Sequence, residues 1–486
     1  MKRSALLLLL AAGAVLPGYA QAADLFLPGN LVVSVEGQGI QGAASGPYTD
    51  NQAAPLTLFQ FHPTGTTSAS YVNSLVLPQN GNGANSAISG EYGSSSEGGL
   101  QLTGDGKYLT IMGYGVNAAK FNANPTAYGT SVNDPTKPTA LGQSGSLTGQ
   151  SYTAVPRVVA VIGDNGQVNT STTLYNVYNG NNPRSVYSPD GKTFYTSGQG
   201  NSPDATGGVF YTTLGSHSAT AITGLDTSSK SSSQDTRMVQ IYNNQLYVAV
   251  DSKEGSGAAR SFIGTLGAQG ALPTGLANSG NGPAMLPGFG NSGGTGKVTL
   301  TKAQTNTVNA KGDQINLSPE SFFFANADTL YVTDSGSPKN NSASSSLGDG
   351  GLQKWVLTGG QWTFEYNLSA GLDLVANSAS EGTTGLLGLT GEVVGGEVEL
   401  FATNFTIGDT DPTFLFGITD QLSATSAQPG EAFSILATAP VDSTFKGVAF
   451  APAGSAPEPE SWALMLTGVG LMGAMIRRRR ARPALA

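Results

Sequence analysis

The strongest constraint on this chain is a short β-hairpin that recurs along its length. One copy begins Glu97-Gly98-Gly99-Leu100-Gln101-Leu102, turns at Gly104-Asp105-Gly106-Lys107 and returns as Tyr108-Leu109-Thr110-Ile111-Met112. The next runs Pro183-Arg184-Ser185-Val186-Tyr187, turns at Asp190-Gly191 and returns through Thr193-Phe194-Tyr195-Thr196. Others pair Thr236–Ile241 with Gln245–Val250 across Asn243-Asn244, Pro319–Phe324 with Thr329–Val332, and Gly385–Val393 with Val398–Ala402. Alternating apolar, β-branched and aromatic residues bounded by Asp-Gly or Asn-rich turns are what hairpins require.

Outer strands such as Arg157–Ile162, Gly208–Tyr211, Gly351–Val356 and Thr413–Ile418 follow the hairpins. Four strands per unit, repeated, predict an all-β fold, a single β-propeller. Near the C-terminus, Phe445–Pro452 reads as an inner strand with no hairpin partner after it. Near the N-terminus, Leu31–Val35, Leu56–Phe61 and Tyr71–Leu77 have no inner strand before them. Pairing the two ends completes a last blade and gives six four-stranded blades. Seven is the alternative, with a blade hidden between Gly267 and Gly296. A sandwich or two packed β domains is the competing architecture.

Composition agrees with an all-β reading. Gly supplies 67 of 486 residues, charged residues only 11%, and cysteine is absent. Without disulfides the fold must rest on a large buried core, which a body of this length can build. Two histidines, His62 and His217, exclude a His-rich metal site, and each reads as an ordinary strand or surface residue.

The chain ends carry a different signal. Met1-Lys2-Arg3, an apolar run from Ala5 to Val15 and the small residues Ala20-Gln21-Ala22 form a secretory signal peptide with cleavage between Ala22 and Ala23. An uncleaved anchor is the alternative, but the apolar run is short for a span. At the other end Pro457-Glu458-Pro459 precedes an apolar run from Trp462 to Ile476, then Arg477-Arg478-Arg479-Arg480. An apolar helix with basic residues behind it would cross the membrane with the arginines in the cytoplasm. The order resembles the bacterial PEP-CTERM sorting signal; a plain tail anchor is the alternative. The resemblance implies recognition by an exosortase, processing near Pro457 and a C-terminal transmembrane helix before processing. The phrases Ser96-Glu97-Gly98, Asp105–Thr110, Ser188-Pro189-Asp190-Gly191 and Gly447–Pro452 are similar to those of secreted bacterial propellers with such tails. That similarity implies fold and location only.

The expected organisation is a signal peptide at 1–22, a propeller at 23–452, a linker at 453–456 and a sorting segment at 457–486. The expected location is the cell envelope, outer surface or medium, reached by Sec-type export and signal peptidase through a transient inner-membrane stage. Without its two ends the chain has a net charge of about −14. That balance argues against nucleic acid as a partner.

Chemistry is less legible. The same offset in successive units holds Glu97, Arg184, Arg237, Glu320 and Lys446, while the fifth hairpin has Leu386 and Leu387 there. Inner strands of a propeller line a central channel, so these charges are expected to converge at one mouth. They would serve either a small polar or anionic ligand or a structural salt-bridge network. No cofactor is expected; converging carboxylates leave room for a channel divalent ion. The Asp-Gly turns at Asp105, Asp164 and Asp190 lack calcium-loop spacing and read as hairpin turns. Long loops, Val116 to Pro156, Ser252 to Leu300 and Ser335 to Gly350, read as flexible surface decoration rather than functional loops. Because proteins with the sorting signal accompany exopolysaccharide production, the resemblance implies a binding or structural module linked to extracellular polysaccharide. The alternative is a propeller hydrolase or lactonase with its site at the channel mouth. An ion-paired channel favours the first and a channel-bound divalent ion the second.

Overall fold

The computed structural model describes residues 25–454 except 38–46, 130–136, 202–203, 225–234, 252–260, 279–281, 290–298, 301–314, 317, 337–349 and 377–378. The signal cleavage at Ala22 and Ala23, the sorting motif and the C-terminal apolar segment therefore lie outside the described residues. Among those described, no helix is long and apolar enough to cross a membrane. The fold is all-β, with one short helix, Ala118–Ala123, and one 3₁₀ turn, Pro125–Tyr128, among the described residues.

The strands form antiparallel sheets laid out in chain order. Ser443–Phe450, Leu31–Gly37, Ala53–Thr64 and Ser68–Val76 make the first sheet. Leu100–Leu102, Tyr108–Tyr114, Arg157–Gly163 and Val168–Leu174 make the second. The short strand Ser89–Glu91 bridges these two groups into one nine-stranded sheet. Four further sheets have four strands each. The third begins with Pro183–Tyr187, the fourth with Thr236–Tyr242, the fifth with Pro319–Asn326 and the sixth with Thr383–Val394. Each of the five hairpins read from the sequence is formed. The C-terminal strand pairs with the N-terminal one, Phe450 opposite Leu31 and Phe445 opposite Val35.

The first strand of each sheet touches the first strand of the next. The sequence of contacts runs from Ser443–Phe450 through Leu100–Leu102, Pro183–Tyr187, Thr236–Tyr242, Pro319–Asn326 and Thr383–Val394, then returns to Ser443–Phe450. This arrangement is consistent with a β-propeller. The inner strands approach so closely that a side chain would not fit at their contacts. A Cβ on Gly447 would lie 2.2 Å from the Leu100 amide nitrogen, and one on Gly99 would lie 2.7 Å from the Arg184 carbonyl. Between sheets the packing is aromatic: Tyr242 stacks on Phe324 at 4.5 Å and Phe289 on Trp355 at 4.1 Å. These rings pack one sheet against the next.

Strand direction separates two faces. Inner strands end at tight turns, and neighbouring turns bond to each other, as Gly104 and Asp105 do to the Ser188 and Pro189 carbonyls. Both ends of the described chain lie on this face. Leu25 donates to the Asp164 carbonyl, and Ala453 donates to that of Gly106. Connections from second to third strands, and from one sheet to the next, begin and end on the opposite face. The ends of two such connections, Val116 with Pro156 and Ser335 with Gly350, lie there. The first of these is not the flexible decoration expected. Phe121, Leu141 and Val155 are buried with Tyr114 in a small core of their own, and Phe121 stacks on Tyr128 at 5.0 Å. The buried Arg157 guanidinium holds this loop by donating to the carbonyls of Ser144, Val155, Tyr178 and Asn181, at 2.7–2.9 Å. Stretches of Gly, Ser and Thr hide this order because their fold depends on a cation supplied by a strand.

Candidate functional site

The first halves of all six inner strands enclose a narrow cavity of about 40 Å³. Glu97, Arg184, Arg237, Glu320 and Lys446 all line it, with Leu387 where the fifth hairpin departs. The equal offsets in the sequence do bring these side chains together, because the inner strands start at one level. A water needs roughly 10–15 Å³ of such space, so the cavity holds a few waters and no sugar or nucleotide.

All five charged residues are buried. Arg237 is the hub of one half. Its guanidinium lies 3.2 Å from Glu320, 3.3 Å from Asp251 and 4.0 Å from Asp235. Arg184 pairs with Asp235 and donates to Gln199 at 2.9 Å. Asp251 also accepts from Ser318 at 2.8 Å and Ser261 at 3.2 Å, and Glu320 accepts from Ser335 at 3.1 Å. Burial works against the Arg237 charge, but Glu320, Asp235 and Asp251 together hold its pKa above the ordinary value. Arg184 is pulled the other way, by burial and by the neighbouring Arg237 charge. Both guanidinium groups thus face carboxylates, as a structural network requires.

The other half is short of cations. Lys446 lies 3.8 Å from Glu36 and donates to the Ser94 carbonyl. Glu97 accepts from the Glu91 amide at 3.0 Å. Glu36, Glu91 and Glu97 are all buried, and both Glu36 carboxylate oxygens lack a hydrogen-bond donor. Burial pushes all three carboxyls above their usual range. For Glu91 the charges of Glu97 and Glu36 add to it, and for Glu36 the Lys446 ammonium only partly opposes it. A carboxyl whose folded pKa is raised binds more protons folded than unfolded, so its contribution to stability is lost as pH rises through that window. The melting temperature should therefore fall as pH rises above the ordinary carboxyl value of about 4.3, and Glu91→Gln should flatten this slope. A wild-type melting temperature that rises over the same range would overturn the assignment.

Among the described residues no group of three or more His, Cys, Asp or Glu is placed to hold a metal ion. In the channel, Glu97 accepts from the Glu91 amide, and Glu320 accepts from Ser335 and lies against Arg237. His62 bonds to Asn30 at 2.8 Å and His217 to Thr173 at 2.6 Å. The Asp-Gly turn carboxylates serve their own turns: Asp105 accepts from Thr103 and the Lys107 amide, and Asp190 from the Lys192 and Thr193 amides.

Two features were not legible. The acids that partner the ring come from the strands next to the inner ones (Glu36 and Asp251), from the bridging strand (Glu91) and from the connection before Thr236 (Asp235). A recess of about 330 Å³ lies on the loop face, between Asp50–Gln52 and the Val116 to Pro156 loop. Its walls carry the amides and hydroxyl of Asn51, Gln52, Asn122, Thr139 and Gln143 together with the charged Asp50 and Lys137. Asn122 clamps one side by exchanging two hydrogen bonds with the Ala53 backbone, at 3.0 and 2.8 Å.

Compared with known families and with curated proteins, the sequence matches none. Solved structures give distant likenesses. AztD from Citrobacter koseri shares 8% identity at a TM-score of 0.27, over 88% of this chain and all of that one. A PL25 ulvan lyase bound to a sulfated disaccharide repeat shares 11% at 0.35, over 87% and 84%. The β-propeller domain of the trilobed protease from Pyrococcus furiosus shares 9% at 0.27, over 79% and 98%. Likenesses this distant assign the chain neither an activity nor a ligand.

Proposed function

We propose that this protein is an exported, surface- or matrix-associated binding module, built as a propeller of six four-stranded blades, that holds extracellular polysaccharide on its loop face. The observation that carries this reading is the ion-paired channel, too narrow for a substrate and committed to internal salt bridges. The ligand must then sit outside the channel, and the amide-rich recess beside the long folded loop is the place for it. Its volume falls at the lower end of ordinary ligand sites. Its amide and hydroxyl groups suit sugar hydroxyls, and the acidic body disfavours polyanions. Six blades are supported by Ala284–Met285 joining the fourth sheet, which takes up part of the stretch that could have held a seventh. Export, exosortase processing and inner-membrane passage rest on the two terminal motifs. The hydrolase alternative draws no support from carboxylates already held in ion pairs.

Affinity electrophoresis of the mature chain through gels containing neutral or acidic bacterial polysaccharides tests the reading. Retardation by a neutral polysaccharide, weakened about tenfold when Asn51 and Gln143 are both replaced by Ala, is expected, since each lost hydrogen bond costs about 0.5–1.5 kcal/mol. Unchanged mobility in every gel would overturn it. Shortening of the polysaccharide would point to the enzyme instead.

A further inference from the structure

A second charged cluster lies away from the channel, in the packing between the fifth and sixth sheets. Tyr331, Lys354 and Tyr366 stand opposite one another on three neighbouring strands of the fifth sheet, Thr329–Asp334, Gly351–Thr358 and Gln361–Leu368. Residues paired in this way share one face. Asp420, in the strand Phe414–Gln421 of the sixth sheet, meets the row. The Lys354 ammonium lies 3.0 Å from Asp420 Oδ2, and neither side chain has any exposed surface. The surroundings are apolar. Tyr331 and Tyr366 belong to one buried cluster with Leu352, Leu400, Phe416 and Ile418.

The polar atoms of the pair are all directed. Lys354 also donates to the Tyr366 hydroxyl at 2.9 Å and to the Gln421 carbonyl at 2.7 Å. The Tyr366 hydroxyl donates to both Asp420 oxygens, at 2.7 and 2.9 Å, and the Tyr331 hydroxyl donates to Oδ2. Burial, reinforced by the Asp420 carboxylate, pushes both hydroxyls above their ordinary value, so they stay protonated donors. Other lysine pairs among the described residues lack this setting. Lys107 is 3.9 Å from Asp105 with its side chain half exposed. Lys446 is 3.8 Å from Glu36, whose carboxylate oxygens meet no donor.

We propose that Lys354 and Asp420 condense to an amide that joins the fifth sheet covalently to the sixth. The Nζ–Cγ bond forms, one Cγ–Oδ bond breaks, and two of the ammonium protons leave with that oxygen as water. The two charges cancel, and no other reactant is consumed. In bulk water the hydration of both ions opposes this step. Here that hydration is already lost, so a neutral product relieves the penalty of keeping two ions in an apolar place. Proton transfer from ammonium to carboxylate frees the amine lone pair. Asp420 Cγ is one bond beyond Oδ2, about 4 Å at most from Nζ. Reacting atoms must come to about 3–3.5 Å, a shift of about an ångström or less. The two tyrosine hydroxyls then stand where negative charge develops in the tetrahedral intermediate, as oxyanion-hole donors do. In the product the remaining oxygen keeps the tyrosine donors, and the Gln421 carbonyl is in place for the amide N–H. A chain without cysteine gains in this way a cross-link indifferent to redox conditions.

Mass spectrometry of the full chain tests the bond without any variant. The denatured protein should weigh one water less than its sequence, and a protease digest should contain a branched peptide joining Lys354 to Asp420. Lys354→Met should have the full mass. Loss of one oxyanion donor slows acyl chemistry by about 10²–10³-fold. Freshly purified Tyr366→Phe should therefore be a mixture whose full-mass share falls on incubation, and complete cross-linking in it at harvest would overturn the role of the tyrosine. A wild-type chain of full mass that is folded by circular dichroism would overturn the proposal. So would a water loss that persists in Lys354→Met, or one that maps to the Asp-Gly turns at Asp105 and Asp190, where a succinimide gives the same change of mass.

Discussion

Replacing Arg237 by alanine should be the most damaging single change at the channel. The substitution removes the guanidinium that pairs with Asp251 and Glu320, both buried to within a few per cent, and lies 4.0 Å from Asp235. Breaking a buried ion pair from one side costs about 3–5 kcal/mol, because the remaining charge is stranded in a poor solvent. That is a large part of the total stability of an ordinary domain, about 5–15 kcal/mol. Urea unfolding should show the loss directly. Adding Glu320→Gln and Asp251→Asn to Arg237→Met should recover much of it, since a neutral, similarly sized cluster no longer holds unpaired charge. A wild-type midpoint in Arg237→Ala would show that the network contributes nothing. A triple variant as weak as the single one would place the cost in packing rather than charge.

Truncation before residue 441 should have a larger effect still. The closing strand covers Leu31–Gly37 along its whole length. It also brings Phe445 and Val448 into a buried cluster with Phe59 and Phe61. Those two side chains alone are worth about 3–6 kcal/mol by the usual burial scale. The cut also removes Lys446 and leaves the Leu31–Gly37 edge open, a template for pairing with other chains. The expected product is a chain without a cooperative thermal transition that elutes as large aggregates. A truncated chain that melts within a few degrees of the full one would mean that the ring does not depend on its closure.

The inner architecture was readable because it rests on local patterns. In Tyr108–Met112 or Gln245–Val250 the alternation and the turn before it fix a strand, and a like place near the start of each inner strand brings Glu97, Arg184, Arg237, Glu320 and Lys446 around one cavity. What was not readable depends on contacts between distant segments. The fourth strands Thr220–Ala221 and Ala284–Met285 have two residues each, too few for any periodicity. Lys354 and Asp420 sit in strands that look amphipathic, and only sheet-to-sheet packing reveals that they pair with their side chains fully buried. The folded loop from Val116 to Pro156 looks like a linker because its stabilising cation, Arg157, belongs to the strand that follows it.

The position of the last strand also has a mechanical meaning. It runs along the channel wall and leaves at the face of the tight turns, where Ala453 bonds to Gly106. If the proposed tail tethers the protein there while a polysaccharide pulls on the loops opposite, the load acts along the strand axis. The hydrogen bonds to Leu31–Gly37 lie across that axis. They would be strained together in shear rather than opened one after another, which is the geometry in which a short strand resists extraction best.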